Sequence, residues 1–189
     1  MQLTKRQREI IETSLDIINK SGIQSLTMRN IAGSMGVTDP MIYRHFRNKE
    51  QLINMMISYV GETVLSIIEN TNADKTDMLR DAYIGCLELF DQNPSLTSVV
   101  FSEEIFRNNA KHRQTMLDII SRISNTLKDR ITGLQNNNLL KVDIPADYIV
   151  QLFMAHLRMD VRLWRLNNMK YSLKDRGSSN LLNLMQIIV

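Results

Sequence analysis

Three consecutive residues near the N-terminus carry side chains suited to non-covalent recognition. Tyr43, Arg44 and His45 supply hydroxyl, guanidinium and imidazole groups that can hydrogen-bond to a partner. Ile42 and Phe46 flank them four residues apart, so a helix here would bury those two side chains and expose the polar ones. The stretch therefore predicts a short helix with one apolar face and one face free for recognition.

A tight corner precedes this short helix. Met28, Ile31 and Ala32 recur at helical spacing, which predicts an amphipathic helix that Thr27 can cap. Gly36 follows at the point where a helix ends in the left-handed conformation. Two short helices joined by such a corner form a helix-turn-helix, whose second helix enters the major groove of DNA in many proteins. The same spacing also fits an ordinary hairpin of two helices in a bundle.

The first turn of the second short helix has its own signals. Thr38 can cap it, while Asp39 and Pro40 suit a helix start because a negative charge is favourable there and a missing N–H is harmless. Met41 is expected to point away from the core. Asn48 and Gln51 then have the form of a capping box, which predicts the start of a longer helix.

Composition places the chain among globular, all-α proteins. It has 189 residues, 43% of them hydrophobic and 23% charged, with only seven glycines and three prolines. We find no signal-peptide pattern and no apolar run approaching twenty residues, so we expect a cytoplasmic protein without membrane contact. The single cysteine, Cys86, cannot form an internal disulfide and is expected to be a small core residue.

The net positive charge of the chain arises in the N-terminal segment. Residues 1–50 carry eight basic and five acidic side chains, whereas basic and acidic side chains balance in the remainder. Phosphate contacts supply much of the affinity of proteins for DNA, so this asymmetry is the one expected for a DNA-binding segment.

We predict two domains, a helix-turn-helix head over residues 1–48 and a helical body over residues 49–189. The helix predicted from Lys49 to about Asn70 would connect them. Further helices are predicted over these ranges: 76–90, 95–108, 110–135, 145–168 and 178–189, the last preceded by a loop at 174–177.

The last two predicted helices are apolar around most of their circumference and must be buried on several sides. A partner subunit would bury them, giving a four-helix interface about a two-fold axis, although they could instead fill the centre of a monomer. The residues assigned to this interface are Phe153, Leu157, Val161, Trp164, Leu181, Leu184, Met185 and Ile188.

Apolar and polarisable residues of the middle helices could line a pocket for a small hydrophobic or aromatic molecule, although residues at this spacing also form plain core. They are Tyr83, Cys86, Phe90, Phe101, Phe106, Met116, Ile120, Phe153 and Met154. No close motif joins the histidines and glutamates into a metal site, and no cofactor is expected. The sequence also lacks a nucleophile beside a base and a phosphate-binding glycine loop, so we expect no enzyme.

Taken together, the N-terminal motifs resemble the tetracycline-repressor (TetR) family of bacterial transcription regulators. The resemblance extends from Thr4 to about Leu52, and its residues occur in the family's order. They are Gly22, Leu26-Thr27, Ile31-Ala32, Gly36-Val37-Thr38, Tyr43-Arg44-His45-Phe46 and Asn48-Lys49-Glu50. The body is similar to the family only in its helical layout, in Phe101–Phe106 and in Leu163-Trp164. Met35 departs from the small residue usual before the turn glycine.

The resemblance implies roles for individual side chains. It places Thr27 on a phosphate at a helix N-terminus, and it places Tyr43, His45 and Lys49 on the DNA backbone. Arg44 would reach a guanine edge or a phosphate. The remaining residues assigned to DNA binding are Arg29, Thr38, Asp39, Pro40 and Met41, with the first turn of the recognition helix facing the bases.

The resemblance also implies a mechanism. A homodimeric regulator, a repressor in the family's usual manner, would bind a pseudo-palindromic DNA operator and be released from it by a small hydrophobic or aromatic effector. The connecting helix that begins at Lys49 would transmit the effector's influence to the head. An alternative is an effector-independent helical adaptor that binds another protein through its apolar C-terminal helices.

Overall fold

The computed structural model describes residues 3–72, 77–107 and 109–188, which form an all-α fold as the sequence predicts. Within these ranges the helices are α1 (Lys5–Ser21), α2 (Met28–Met35), α3 (Asp39–Tyr43), α4 (Lys49–Glu69), α5 (Asp77–Gln92), α6 (Thr97–Val100), α7 (Glu103–Arg107), α8 (Ala110–Asn136), α9 (Ala146–Leu166) and α10 (Leu173–Ile188). Two 3-10 turns, Ile23–Ser25 and Pro94–Leu96, lie between them.

The chain divides into two compact units. The first contains Met1–Glu62 and Pro94–Ile119, and the second contains Thr63–Asn93 and Ile120–Val189. Helices α4 and α8 each contribute residues to both units. The packing therefore groups α6, α7 and the start of α8 with the N-terminal helices, while the predicted functional boundary between residues 48 and 49 stays a prediction.

The first unit begins with the predicted capping box. The Thr4 hydroxyl accepts a hydrogen bond from the Gln7 backbone N–H (3.2 Å), and the Gln7 side chain accepts one from the Thr4 N–H (3.0 Å). One face of α1 is buried in the unit, and its apolar members are Ile10, Ile11, Leu15 and Ile18. This face supplies the packing partner that short α2 needs, because helices of this length are marginal by themselves.

The corner between α2 and α3 has the predicted geometry. Gly36 adopts a left-handed conformation with φ of +65°, and the Val37 N–H donates to the Ala32 carbonyl at 2.9 Å. These bonds satisfy carbonyls at the end of α2 and turn the chain sharply into α3. A residue with a Cβ atom at Gly36 would be strained in this conformation.

The prediction of one continuous helix over residues 95–108 is wrong, because two separate helices lie there instead. A 3-10 turn and α6 end at Val100, and Phe101 departs from helical geometry with φ of −106° and ψ of 10°. The Ser102 hydroxyl then accepts a hydrogen bond from the Ile105 N–H (3.4 Å) and so caps α7.

The last helix starts earlier than predicted, and residues 174–177 are helical instead of forming a loop. Its start is capped by Ser172, which accepts from the Asp175 N–H (3.2 Å), and by Asp91, which accepts from the Leu173 N–H (3.2 Å). Gly177 lies inside this helix. A Cβ atom there would come within 2.5 Å of a Leu87 methyl group, so the close contact requires glycine. This glycine therefore permits close packing of α10 on α5.

One helix of the described residues, α4, is long and apolar enough to cross a membrane by length and composition alone. Half of that segment is buried inside the protein, and core helices of soluble proteins meet the same criterion. Its buried side chains in the first unit include Leu52, Met56, Ile57 and Val60. Packing in the core therefore accounts for its apolar character.

Candidate DNA-binding site

The N-terminus of α2 presents two of the predicted contact residues. Thr27 is exposed, and its hydroxyl oxygen accepts a hydrogen bond from the Asn30 N–H (3.0 Å). The hydroxyl hydrogen remains able to donate, so capping the helix and contacting a phosphate are compatible roles. Arg29 is also exposed. The Asn30 side chain donates to the Ser25 carbonyl (2.8 Å) and holds the preceding 3-10 turn against the start of α2.

The start of α3 differs from the prediction in one respect. Thr38 occupies the N-cap position, but its side chain makes no capping hydrogen bond. The exposed hydroxyl is thereby free to bond to a partner instead. Asp39 is half-buried in the first turn, where its negative charge interacts favourably with the helix dipole. Pro40 is exposed beside it.

The faces of α3 and the residues that follow it are divided as predicted. Ile42 and Phe46 are fully buried. Met41 is 41% exposed and Tyr43 is 51% exposed, values that are high for large apolar side chains. Arg44 is exposed, whereas the half-buried His45 keeps only part of its ring accessible. The short helix therefore presents a mixed apolar and polar surface, backed by two buried side chains.

Lys49, the first residue of α4, is half-buried, with its ammonium nitrogen 3.4 Å from the Ile23 carbonyl oxygen. The capping box predicted next to it forms only in part. Asn48 accepts from the Gln51 N–H (2.8 Å), but the Gln51 side chain accepts from the Arg47 N–H (2.7 Å) instead of the Asn48 N–H. The start of α4 is thus fixed by hydrogen bonds on both sides of Asn48.

All ten residues predicted to bind DNA lie in the first unit, between Thr27 and Lys49. Their cations, hydroxyls and helix N-termini are groups that bind phosphate oxygens, and the first turn of α3 exposes Pro40 and Met41 beside them. Arg47 is an exposed cation in the same segment that the sequence prediction left out, although its charge was a sufficient signal. The DNA contacts of individual residues stay a prediction.

The same segment matches a known family. Residues 10–56 match the sequence model described as "Bacterial regulatory proteins, tetR family". This N-terminal segment belongs to the TetR family. The resemblance of the N-terminal motifs is thus confirmed over residues 10–56, the segment that holds the helix-turn-helix.

The chain is also similar to individual curated proteins over a longer stretch. Nucleoid occlusion factor SlmA of Idiomarina loihiensis is 26% identical over 130 residues, which are 67% of this chain and 66% of the relative. The alignment therefore spans slightly less than two thirds of that relative.

Two solved structures share the whole fold. The fatty acid degradation regulator FadR of Bacillus halodurans has a TM-score of 0.81 at 17% identity, covering 98% of this chain and 97% of that one. The transcriptional regulator FadR of Bacillus subtilis, solved in complex with stearoyl-CoA, has a TM-score of 0.80 at 22% identity, covering 94% and 97%. At these identities the likeness shows the fold alone.

The residues predicted to line an effector pocket are divided between the two units. Phe101, Phe106 and Met116 belong to the first unit and are half-buried. The other six belong to the second unit: Tyr83, Cys86, Phe90 and Phe153 are buried, Met154 is half-buried and Ile120 is 39% exposed. The Tyr83 and Phe153 rings meet edge to face with centroids 5.2 Å apart, so at least this pair is packed core. The pocket stays a prediction.

The residue assignment of the dimer interface needs correction. Five of its members are buried within the chain itself and so offer little surface to a partner: Phe153, Val161, Trp164, Leu181 and Leu184. Leu157 and Met185 are half-buried, and the side chain of Ile188 lies outside the described residues. The predicted periodicity identified the core-facing side of α9 and α10, whereas other large apolar side chains are exposed there. These are Tyr148, Met159, Leu163, Leu166, Leu182 and Ile187.

Cys86 is a buried free thiol, as predicted, and is fully inaccessible. Burial raises the pKa of Cys86 to about 12, so only about 10⁻⁴ of the thiol would be ionised at pH 8. We expect Ellman's reagent to leave the native chain essentially unmodified at pH 8 and to modify one thiol per chain in denaturant. Rapid modification of the native chain would contradict the packing of α5.

Among the described residues, no group of histidine, cysteine, aspartate and glutamate side chains is placed to hold a metal ion.

Proposed function

We propose that the chain is a homodimeric transcriptional repressor, released from a pseudo-palindromic operator by a small hydrophobic or aromatic effector. The observation that carries the DNA-binding part is the exposed surface of α3, with Met41, Tyr43 and Arg44 outward over buried Ile42 and Phe46. Two such helices, about 34 to 36 Å apart in a two-fold dimer, would enter successive major grooves.

The first experiment is to select bound fragments from the host's genomic DNA and map the protected bases. A repressor of this kind is expected to select a small number of sites with two-fold symmetry. Reporter expression from a selected site, with and without the chain, then separates repression from activation. Failure to select any DNA at low salt would favour the alternative of a helical adaptor that binds protein.

Substitutions in the site should separate affinity from sequence preference. Tyr43→Phe and Lys49→Ala remove proposed backbone contacts, so both should weaken binding to every sequence, and Lys49→Ala should reduce the slope of log K against log salt by about one. Met41→Ala or Arg44→Ala should instead change which sequence is preferred, since a lost base contact costs about 1–3 kcal/mol at one position.

Mobility-shift titrations of the selected site and of variants with single base changes, at two salt concentrations, measure both effects. Thr13→Ser on α1, outside the predicted contacts, is a control that should change neither quantity. Equal loss on all sequences for Met41→Ala and Arg44→Ala would contradict the assignment of α3 as the base-reading helix.

The proposed effector is hydrophobic because the second unit has an apolar interior built on α5, with Tyr83, Cys86 and Phe90 on its buried face. The stearoyl-CoA bound by Bacillus subtilis FadR is consistent with this class and makes long-chain acyl thioesters the first compounds to test. The effector must bind one arrangement of the two helix-turn-helix heads better than the other. A compound with equal affinity for both arrangements would leave the equilibrium between them unchanged. Release of operator DNA by such a compound is the measurement.

The proposed dimer would use the exposed apolar side chains of α9 and α10, among them Met159, Leu163 and Leu182. Their exposure in a single chain supports association, because contiguous apolar surface commonly marks an interface. Sedimentation equilibrium on the full chain measures this association directly. A cytoplasmic location follows if the proposed role is correct.

A second candidate function is that of a factor acting on the nucleoid. The similarity to nucleoid occlusion factor SlmA supports it. The distribution of selected fragments distinguishes the two candidates. A local repressor should bind few sites, next to the genes it controls, whereas a factor acting on the nucleoid should bind many sites spread over the chromosome. An effector that releases DNA would favour the repressor.

A further inference from the structure

His112 is a buried polar side chain in the first unit that neither the sequence motifs nor the proposed contacts include. It lies in the first turn of α8 and is 4% exposed. Its Nδ1 atom is 3.3 Å from the carbonyl oxygen of Ile105 in α7, and its Nε2 atom is 3.4 Å from the carbonyl oxygen of Glu50. One ring therefore lies between α7 and the first turn of α4, and in each neutral tautomer one of its two nitrogens carries the proton and can donate. The Nε2–H tautomer is the one that can donate to the Glu50 carbonyl.

The junction between α7 and α8 is held by other side chains as well. Asn109 caps α8 by accepting from the His112 N–H at 3.0 Å. Arg113 donates to the carbonyls of Phe106 (2.8 Å) and Arg107 (3.1 Å) at the end of α7. The turn between these helices is thus fixed without the imidazole ring, so the distinctive contribution of His112 is its reach to α4.

Two other polar contacts between α8 and the first turns of α4 are seen among the described residues. The Lys111 ammonium is 3.9 Å from the Glu50 carboxylate, but both side chains are largely exposed, and such pairs contribute little. The Thr115 hydroxyl donates to the Asn54 side-chain oxygen at 3.3 Å, while the buried Asn54 amide nitrogen has no hydrogen-bond partner among the described residues. The buried contact at Glu50 is therefore made by His112.

Further along, the same two helices approach more tightly. A Cβ atom at Gly61 would come within 2.5 Å of an Ile119 methyl group. Apolar close packing at that point leaves the two helices little freedom to slide. Between Glu50 and Asn54, Leu52 and Ile53 are also buried, and the described polar contacts to α8 are those of Lys111, His112 and Thr115.

We propose that His112 is a positioning residue for DNA binding, which fixes the first turn of α4 and with it Lys49. This inference rests on the proposed function. Lys49 immediately precedes Glu50, whose carbonyl faces the ring, and its ammonium group lies beside the Ile23 carbonyl. A shift of this turn moves the ammonium group relative to the phosphate that it is proposed to contact. The start of α8 therefore contacts the first turn of α4 through the buried His112 ring, beside the exposed Lys111–Glu50 pair.

A double-mutant cycle on the full chain tests the coupling. The variants are His112→Phe, Lys49→Ala and the two combined, and the probe is a random-sequence DNA duplex of about three helical turns, because phosphate contacts do not require an operator. His112→Phe should weaken binding about two- to tenfold, as loss of one hydrogen bond implies. The double variant should bind no more weakly than Lys49→Ala alone, because the two residues act through the same contact.

Two further variants separate positioning from folding. His156→Phe makes the same change on α9 in the other unit and should leave DNA affinity unchanged. His112→Gln keeps a donor and should restore part of the affinity lost in His112→Phe. If His112→Phe does not fold, as judged by circular dichroism, the cycle is run with His112→Gln and Lys49→Ala, and the same non-additivity is expected.

Additive losses, or unchanged affinity in a folded His112→Phe chain, would overturn the proposal. A parallel reduction of the salt slope by about one in His112→Phe and Lys49→Ala would support it. A wild-type chain that binds neither the random duplex nor genomic fragments would instead overturn the proposed function itself, on which the inference depends.

Discussion

Phe46→Ala is expected to destabilise the first unit by about 3–5 kcal/mol and to abolish measurable DNA binding. Phe46 is fully buried, and it closes the segment that follows α3 by packing inward one turn after Ile42. Removing the ring leaves a cavity beneath the surface that carries Met41 and Tyr43. Because α3 has only five residues, it cannot hold its conformation once that packing is lost.

Tyr43→Ala is the matched control, since it also removes a large aromatic ring but from a half-exposed position. It should change the free energy of unfolding by no more than about 0.5 kcal/mol while still weakening DNA binding. Urea unfolding followed by circular dichroism at 222 nm measures stability, and the fluorescence of Trp164, the single tryptophan, reports on the second unit. Equal stability of Phe46→Ala and Tyr43→Ala would contradict the role of Phe46 as the support of α3.

The helix-turn-helix was predictable because its determinants are local. A cap at Thr27, a left-handed glycine at Gly36 and a proline in the first turn at Pro40 each act within a few residues. The buried pair Ile42 and Phe46 follows from helical spacing alone. Each of these features is present in the structure at the predicted place, although Thr38 caps α3 through its backbone position and not through its side chain.

The features that escaped prediction depend on residues far apart in the chain. Gly177 indicates a loop in the sequence, yet it lies within α10. A glycine is needed at that point because Leu87 on α5 occupies the space that a side chain would take. Helical periodicity identified an apolar side of α9, but periodicity cannot distinguish the side facing the subunit's own core from the side left for a partner. His112 carried no local signal at all, since the two oxygens that face its ring nitrogens are backbone carbonyls, one of them 62 residues away.

The second large effect is expected at a buried polar network of the second unit. Asp160 is 7% exposed, and its carboxylate accepts hydrogen bonds from the Tyr83 hydroxyl (2.6 Å) and from the Asn180 side-chain amide (2.7 Å). These bonds join α5, α9 and α10. Tyr83→Phe removes one of the two while the carboxylate stays buried, so it should lower the free energy of unfolding by about 1.5–3 kcal/mol.

Tyr148→Phe is the control, because it deletes a hydroxyl from an exposed tyrosine of α9 and should leave stability unchanged. Urea unfolding followed by Trp164 fluorescence measures both variants, since Trp164 is buried in the same unit. Adding Asp160→Asn to Tyr83→Phe should recover part of the loss, because an amide costs less to bury without a donor than a carboxylate does. Full stability of Tyr83→Phe alone would show that the hydroxyl and carboxylate do not bond as described.

The network also predicts a dependence on alkaline pH. Burial, reinforced by the hydrogen bond to Asp160, raises the pKa of Tyr83 well above its ordinary value. The unfolded chain therefore releases the Tyr83 proton near pH 10 while the folded chain retains it, so protonated Tyr83 contributes stability below about pH 10 that declines as the pH rises further. Wild type should thus lose stability above pH 10 more steeply than Tyr83→Phe, and the difference between them in unfolding free energy should shrink. A difference that stays constant from pH 8 to pH 11 would mean that Tyr83 ionises equally in both states, which its burial against a carboxylate opposes.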